Sequence, residues 1–197
     1  MSHAWPTPSP RCVTPSPAQC ADVTDLPRGA RVGVDVGTVR VGVAASDPDG
    51  IMATPVETVP RDATGAEPPA DVRRIVEIVH ERGAVVVYVG LPRHLSGTEG
   101  SASAAVRTYC VALARAVAPV PVRLIDERMS TVSAHRSLYA SGRAGRRHRE
   151  VVDQAAAVVI LQSAIDGERA AGERRGEVVM SERMDRTGGT TQTEGSA

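Results

Sequence analysis

The sequence contains no lysine and no phenylalanine, and its one tryptophan, Trp5, lies in a proline-rich N-terminal stretch. The absence of lysine excludes Schiff-base chemistry and the lysine of a Walker A phosphate loop. Because aromatic side chains are so scarce, we do not expect a base-stacking platform of the RRM or OB type. All 23 basic residues are arginines, and 23 acidic residues balance them. Any basic surface that attracts nucleic acid must therefore be local.

Cysteine is also scarce. Cys12, Cys20 and Cys110 form neither a CxxC pair nor an even disulfide framework, which favours a reducing compartment and predicts Cys110 as a small core residue. No apolar run approaches the length of a membrane span, and the N-terminus lacks the charged-then-apolar layout of a signal peptide. We therefore expect a cytoplasmic protein without a membrane partner.

The remaining composition predicts one folded domain between two tails. Residues 1–29 form a disordered Pro-rich leader, residues 30–168 the domain, and residues 169–197 a disordered C-terminal tail. Apolar periodicity predicts strands at 31–36, from 39, at 50–59, 84–91 and 121–128, and helices at 70–82, 101–117, 131–142 and 150–166. Three strands in succession, followed by strand–helix alternation, indicate a mixed sheet with helices on its faces.

One acid stands out in the opening hairpin, "RVGVDVGTVRVGVA" at 31–44. Asp35 lies among valines, glycines and alanines that are typical of a buried strand. An ionised carboxylate there costs several kcal/mol unless a cation, a metal or hydrogen-bond donors compensate it. The alternative is that Asp35 caps the turn at Gly37 and Thr38.

Two more acids occupy similarly apolar surroundings. Glu127 closes the strand "VRLIDER", where it could simply pair with Arg128, and Asp153 lies in the first turn of an apolar helix, where the helix dipole favours it. If all three converge with Asp35, they repel one another unless divalent cations lie between them. Oxygen ligands suit Mg²⁺ or Mn²⁺, and two such ions about 3.5–4 Å apart support phosphodiester hydrolysis.

Four ordered blocks resemble the YqgF/RuvX family, whose members are described as pre-16S rRNA nucleases or Holliday-junction-resolvase-like enzymes. The blocks are "GVDVGTVRVGVA", "VVVYVGLPRHLSGTEGSAS", "LIDERMSTVSA" and "VVDQAAAVVILQ". The resemblance implies an α/β, RNase H-like fold with a mixed five-stranded sheet and helices on both faces. It also implies a metal-dependent nuclease that processes the 5′ end of pre-16S rRNA, with Asp35, Glu127 and Asp153 as catalytic and metal-binding residues. Arg40 matches a family arginine and is expected to contact phosphate.

Three positions depart from the family pattern. Ser96 stands where the family often has Asp, so this position is not counted as a metal ligand, and Ser133 and His135 stand where acids are common. None of these changes affects the three candidate acids.

Two loops add candidate nucleic-acid-binding residues. Arg93 and Thr98 lie in "GLPRHLSGTEG", at a strand end of the kind that binds ligands in open α/β sheets. Arg143, Arg146 and Arg147 lie in "GRAGRRHRE", immediately before the helix of Asp153. The alternatives are an ordinary turn, with Ser101 capping the next helix, and a solvated charged loop.

Other functions fit parts of this pattern. The Asp35–Thr38 motif resembles the first phosphate loop of actin-like ATPases, but those proteins need a second, duplicated domain. A Holliday-junction-type DNA resolvase and a non-catalytic ribosome-assembly factor remain alternatives. The residues do not choose between RNA and DNA. The family resemblance favours structured RNA, bound by a monomer or homodimer.

Overall fold

The computed structural model describes residues 26–93, 96, 98–126 and 146–180, and within this last range the side chains of 146–153 are not described. Six strands are formed, namely β1 (Ala30–Val36), β2 (Arg40–Ser46), β3 (Ala53–Pro60), β4 (Ala84–Leu91), β5 (Val122–Asp126) and β6 (Glu177–Val178). The helices of the described residues are α1 (Ala70–Glu81), α2 (Ser101–Val117) and α3 (Arg146–Ala171). The predicted helix at 131–142 lies outside the described residues.

The strands form one mixed sheet in the order β3-β2-β1-β4-β5-β6. β1 pairs in parallel with β4, and β4 with β5, whereas β2 is antiparallel to both β1 and β3. The ends of β1, β3, β4 and β5 and the start of β2 therefore share one side of the sheet, which we call the carboxyl edge. The opposite side is called the amino edge.

Helices cover both faces, as the sequence predicts. On one face, the buried side chains of α1 and α2 pack against alternate valines of the strands, including Val32, Val34, Val87 and Val89. On the other face, α3 packs against Ala44, Val86, Tyr88 and Ile125. The strand period of two thus separates two cores, one on each side of the sheet.

The predicted apolar stripe of α2 is confirmed. It consists of Val106, Tyr109, Cys110, Leu113 and Val117, all buried. Burial raises the pKa of the Cys110 thiol to about 12, so this cysteine is a neutral core residue, as expected from the sequence.

Gly33 allows α3 to approach β1 closely. A Cβ atom at this position would lie 2.6 Å from Cβ of Leu161 and 3.0 Å from the carbonyl oxygen of Ala157. Real side chains do not tolerate the shorter of these separations, so any larger residue would move α3 away from the sheet.

The structure differs from the sequence prediction at the C-terminal boundary. Residues 169–180 do not form a separate tail, because α3 continues to Ala171 and β6 adds a sixth strand to the five that were predicted. The guanidinium of Arg123 donates to the carbonyls of Arg174, Arg175 and Gly176, which holds this segment against β5. The boundary was missed because a two-residue strand leaves no periodic pattern.

Among the described residues, no helix combines the length and the apolar character that crossing a bilayer requires.

Candidate active site

Asp35 lies near the end of β1, at the carboxyl edge of the sheet. It is 3% exposed, which confirms the prediction that this carboxylate is buried. It shares a side of β1 with Gly33, two residues earlier, and therefore faces the α3 layer. Its neighbour across the β1–β2 ladder is Gly42, which has no side chain.

α3 runs antiparallel to β1 along this face. Arg31, early in β1, contacts Glu168 near the end of α3, whereas Gly33 lies against Ala157 and Leu161 in its middle. Two residues of a strand and four of a helix both span about 6 Å. The backbone of Asp153 lies one turn before Ala157, in the direction in which β1 runs from Gly33 to Asp35. The side chain of Asp153 is outside the described part.

The third predicted acid, Glu127, lies outside the described residues. The strand that leads to it ends at Asp126, which pairs in register with Leu91 of β4 at the carboxyl edge. Ile125 belongs to the core on the α3 side. Strand alternation assigns Glu127 to the same side of the sheet as Ile125. Because Glu127 itself lies outside the described residues, its predicted position near Asp35 stays a prediction.

Arg93 follows β4 and is held between two carboxylates. Its Nη1 lies 3.6 Å from Oδ2 of Asp126, and its Nη2 donates to Oε1 of Glu99 at 3.0 Å. Arg107 of α2 also donates to Glu99, at 2.8 Å to each carboxylate oxygen. This hydrogen bonding lowers the pKa of Glu99, so the acid stays charged and ties the loop before α2 to the helix.

The rest of that loop leads into α2, and the predicted role of Thr98 in binding nucleic acid stays a prediction. Thr98 is exposed, and its hydroxyl lies 2.8 Å from that of Ser96. The predicted cap, Ser101, is wrong: Gly100 occupies the N-cap position, and Ser103 accepts from its backbone N–H at 3.4 Å. The Ser103 hydroxyl also donates to the carbonyl of Pro92, which joins the start of α2 to the end of β4.

Arg40 opens β2 at the carboxyl edge, opposite Pro60 of β3. The turn before it is tight, because the N–H of Gly37 donates to the carbonyl of Arg40 at 2.9 Å and a Cβ on Gly37 would lie 2.7 Å from that oxygen. Arg146 and Arg147 lie in the first turn of α3 rather than in a loop before it, but their side chains are not described. Arg143, Ser133 and His135 lie outside the described part of the chain.

Sequence reasoning missed a buried charge cluster at the same edge. Arg61, immediately after β3, places Nε 3.3 Å from Oδ2 of Asp71, a residue of α1 that is completely buried. Its guanidinium carbon lies 4.5 Å from the ring centroid of Tyr109 in α2. A signal was available, since Asp71 precedes Ile75 by four residues and Ile78 by seven and so belongs to the inward face of α1.

The described side chains contain no group of three His, Cys, Asp or Glu residues suited to a metal ion. Of the predicted set, only the side chain of Asp35 is among those described. Magnesium binding by Asp35, Glu127 and Asp153 therefore remains a prediction.

Comparison with known proteins places these features in a family context. The sequence profile of the RuvX family, described as "Holliday junction resolvase", matches residues 29–167. The Streptomyces coelicolor protein named "Putative pre-16S rRNA nuclease" is 54% identical over 159 residues, 81% of this chain and 93% of the relative. A Nocardioides protein of the same name is 56% identical over 153 residues, 77% of this chain and 96% of the relative.

One solved structure supports the fold. Thermus thermophilus RuvC, in complex with a Holliday junction substrate, matches with a TM-score of 0.50 at 16% identity. The match covers 74% of this chain and 98% of RuvC. At this identity the likeness concerns architecture alone, and it confirms the predicted RNase H-like fold.

Proposed function

Because the chain belongs to the RuvX family of nucleases, we propose that it hydrolyses phosphodiester bonds in structured RNA, at the 5′ end of pre-16S rRNA. The name shared by relatives that are more than half identical to this chain supports the rRNA substrate. The observation that carries the proposal is the burial of the Asp35 carboxylate at the carboxyl edge, where open α/β sheets bind ligands.

The proposed catalytic set is Asp35, Glu127 and Asp153. The antiparallel path of α3 along β1 supports the pairing of Asp35 with Asp153, because the close contact at Gly33 keeps the helix next to the strand that carries Asp35. Strand alternation in β5 supports Glu127 on the same side as Ile125.

An all-oxygen donor set fits Mg²⁺ or Mn²⁺. The burial of Asp35 fits the same group, since a desolvated carboxylate gains most from a cation. When bound, such ions lower the pKa of a water and stabilise the leaving oxygen of the phosphodiester. The chain's own contribution is to hold the three carboxylates in place and to neutralise neighbouring phosphates with Arg40 and Arg93.

Cleavage of an RNA spanning the 5′ leader junction of 16S rRNA tests this function directly. We expect Mg²⁺-dependent cutting that EDTA abolishes, and a fall on the order of 10²–10³ in rate for Asp35→Asn. Asp49→Asn, an exposed acid at the amino edge, is the matched control and should cut like the wild type. Binding of Mn²⁺, measured by calorimetry, should be lost in Asp35→Asn and retained in Asp49→Asn. Metal-independent cutting would contradict the proposed chemistry.

The printed description of the RuvX family favours a second candidate, a resolvase acting on four-way DNA junctions. The same assay distinguishes the two, because a resolvase cuts the junction in preference to the RNA and requires a dimer. If neither substrate is cut and Asp35→Asn complements a deletion strain as well as the wild type does, a non-catalytic assembly factor is the better description.

A further inference from the structure

The cluster of Arg61, Asp71 and Tyr109 lies at the carboxyl edge but on the other side of the sheet from Asp35. Arg61 follows β3 with the parity of Val59, which belongs to the α1 and α2 core. Its backbone N–H donates to the carbonyl of Val39 at 2.9 Å, so it lies beside the β1–β2 turn. The candidate catalytic set does not use this cluster.

The charges of the cluster are arranged from inside to outside. Asp71 is completely buried, whereas the side chain of Arg61 is 28% exposed. The ion pair therefore presents its positive end toward solvent and its negative end toward the core. In addition, Arg61 pairs with Asp71 through Nε. This ion pair therefore does not use the two terminal nitrogens, which carry four N–H groups.

Arg61 is also restrained before any ligand arrives. The carboxylate of Asp71 lies on one side of the guanidinium, 3.3 Å from Nε and without a hydrogen bond between them, and the face of the Tyr109 ring lies at 4.5 Å. Burial and the negative charge of Asp71 raise the pKa of Tyr109, so its ring stays neutral at physiological pH. A restrained arginine loses little side-chain entropy when it binds an anion.

The loop that follows Arg61 is ordered by a single acid. Oδ1 of Asp62 accepts from the N–H and the hydroxyl of Thr64, and its Oδ2 accepts from the N–H of Ala70 at the start of α1. These hydrogen bonds join the residue after Arg61 to the residue before Asp71, so they hold the two ends of the loop together. The spacing between cation and buried acid is therefore fixed by the backbone.

We propose that Arg61 binds a phosphate of the nucleic acid backbone, away from the bond that is cut. This inference rests on the proposed function and extends its binding surface by one residue. β3 is two strands away from β1, about 10 Å at the usual strand spacing. This lateral separation equals about three nucleotides of rise along one strand. Because the two side chains lie on opposite sides of the sheet, a strand that contacts both passes over the carboxyl edge. Arg61 thus acts in binding rather than in the chemical step.

Fluorescence anisotropy with a labelled RNA hairpin that carries a single-stranded 5′ extension tests the assignment. The main variant is the double substitution Arg61→Gln with Asp71→Asn, which removes both charges and leaves no buried carboxylate without a partner. Arg82→Gln is the matched control, because Arg82 is an exposed arginine at the other end of α1. Asp71→Asn alone keeps the cation and removes its buried partner.

For the double variant we expect about a tenfold higher Kd near 0.1 M salt and a slope of log K against log salt that is shallower by about 0.7–0.9. In the cleavage assay KM should rise with kcat nearly unchanged, which loss of a purely structural residue would not produce. Arg82→Gln should match the wild type. Asp71→Asn should retain the full salt slope, since the phosphate contact is still present.

The outcomes separate this inference from the proposed function. If the wild type binds and cuts RNA but the double variant has the salt slope of Arg82→Gln, Arg61 is not a phosphate contact and only the inference fails. If the wild type binds and cuts neither RNA nor a four-way DNA junction, the proposed function fails, and the inference fails with it. Melting curves of all variants identify any loss of binding that is due to unfolding.

Discussion

The two edges of the sheet use the same residue types in opposite ways. At the amino edge, Arg31 is buried and its partners surround it: Nε donates to Glu168 at 3.1 Å, and Nη1 donates to the carbonyls of Gly29 and Pro48 at 2.7 and 3.2 Å. At the carboxyl edge, the side chains of Arg61 and Arg93 are 28% and 27% exposed. Arg61 has a carboxylate on one side, whereas Arg93 lies between the carboxylates of Asp126 and Glu99.

The amino-edge cluster is closed around Glu168, which is 1% exposed. Its carboxylate accepts from Arg31, from Nη1 of Arg174 at 2.7 Å and from the hydroxyl of Tyr88. Burial first, and the neighbouring Glu168 second, raise the pKa of Tyr88, so the phenol remains a hydrogen-bond donor. All four side chains are thereby occupied with one another.

The difference between the edges supports the proposal that Arg61 binds a phosphate. A guanidinium whose N–H groups meet buried protein oxygens stabilises the fold, because any other arrangement leaves a desolvated charge. A guanidinium that is paired on one side and exposed on the other keeps donors for a phosphate. Exposure and pairing together, rather than the number of arginines, distinguish the two roles.

The largest expected effect on stability is at the amino edge. Glu168→Gln removes the charge that both Arg31 and Arg174 require, so we expect the free energy of unfolding to fall by about 3–5 kcal/mol. Urea unfolding followed by circular dichroism measures this loss. Glu173→Gln, an exposed neighbour, is the control and should change stability by less than about 0.5 kcal/mol. Equal stability of the two variants would contradict the structural role of the cluster.

Much of this arrangement follows from sequence patterns. The α2 stripe, the buried strand at 84–91 and the burial of Asp35 were all predicted, because each depends on residues that are close in the chain. The Arg31–Glu168 pair was not predicted, since its members are 137 residues apart and periodicity does not specify long-range partners. A hint existed, because Glu168 follows Ala164 and Ile165 on the buried face of α3.

The candidate site was only partly predictable for the same reason. Asp35 could be identified from its apolar surroundings, and the spacing of Asp71 indicates the inward face of α1. Arg61, in contrast, resembles an ordinary surface residue at a strand end. Only the packing of α1 against α2, which brings Tyr109 to Arg61, makes them a unit. The predicted roles of Glu127, Asp153, Arg143, Arg146 and Arg147 stay predictions.

A smaller loss of stability is expected at Gly33, where α3 lies against β1 between the two edges. Gly33→Ala places a methyl group 2.6 Å from Cβ of Leu161, so the helix must shift and stability should fall by about 1–3 kcal/mol. If α3 also carries a catalytic acid, the cleavage rate well below the melting temperature should drop by up to about 100-fold. Val159→Ala, on the exposed side of α3, is the control. A stability loss with an unchanged rate would separate α3 from the active site.

The smallest expected effect concerns two half-buried acids, Asp62 at the carboxyl edge and Asp47 at the amino edge, and here the edges should behave alike. Hydrogen bonds, first from the Thr64 hydroxyl and then from the Ala70 and Thr64 N–H groups, lower the pKa of Asp62 from 3.8 to about 2. At the amino edge, hydrogen bonds led by the Met52 N–H lower the pKa of Asp47. A depressed pKa means that the charged form is favoured by folding. The stabilisation from Asp62 is therefore complete above about pH 4 and is lost as pH falls through about 2, and the stabilisation from Asp47 is likewise lost as pH falls.

Asp62→Asn should therefore lower the urea midpoint near neutral pH, and its difference from the wild type should shrink as the pH approaches about 2. Asp47→Asn should show the same convergence, because its carboxylate likewise caps backbone N–H groups of a turn. If only the urea midpoint of Asp62→Asn approaches that of the wild type at low pH, the two edges also differ in their loops. If the midpoints of both variants approach that of the wild type, the two edges differ only in how their arginines are buried and paired, as we argue. The acid that orders the loop after Arg61 would then be an ordinary turn residue, and the pairing of the arginines alone would distinguish the two edges.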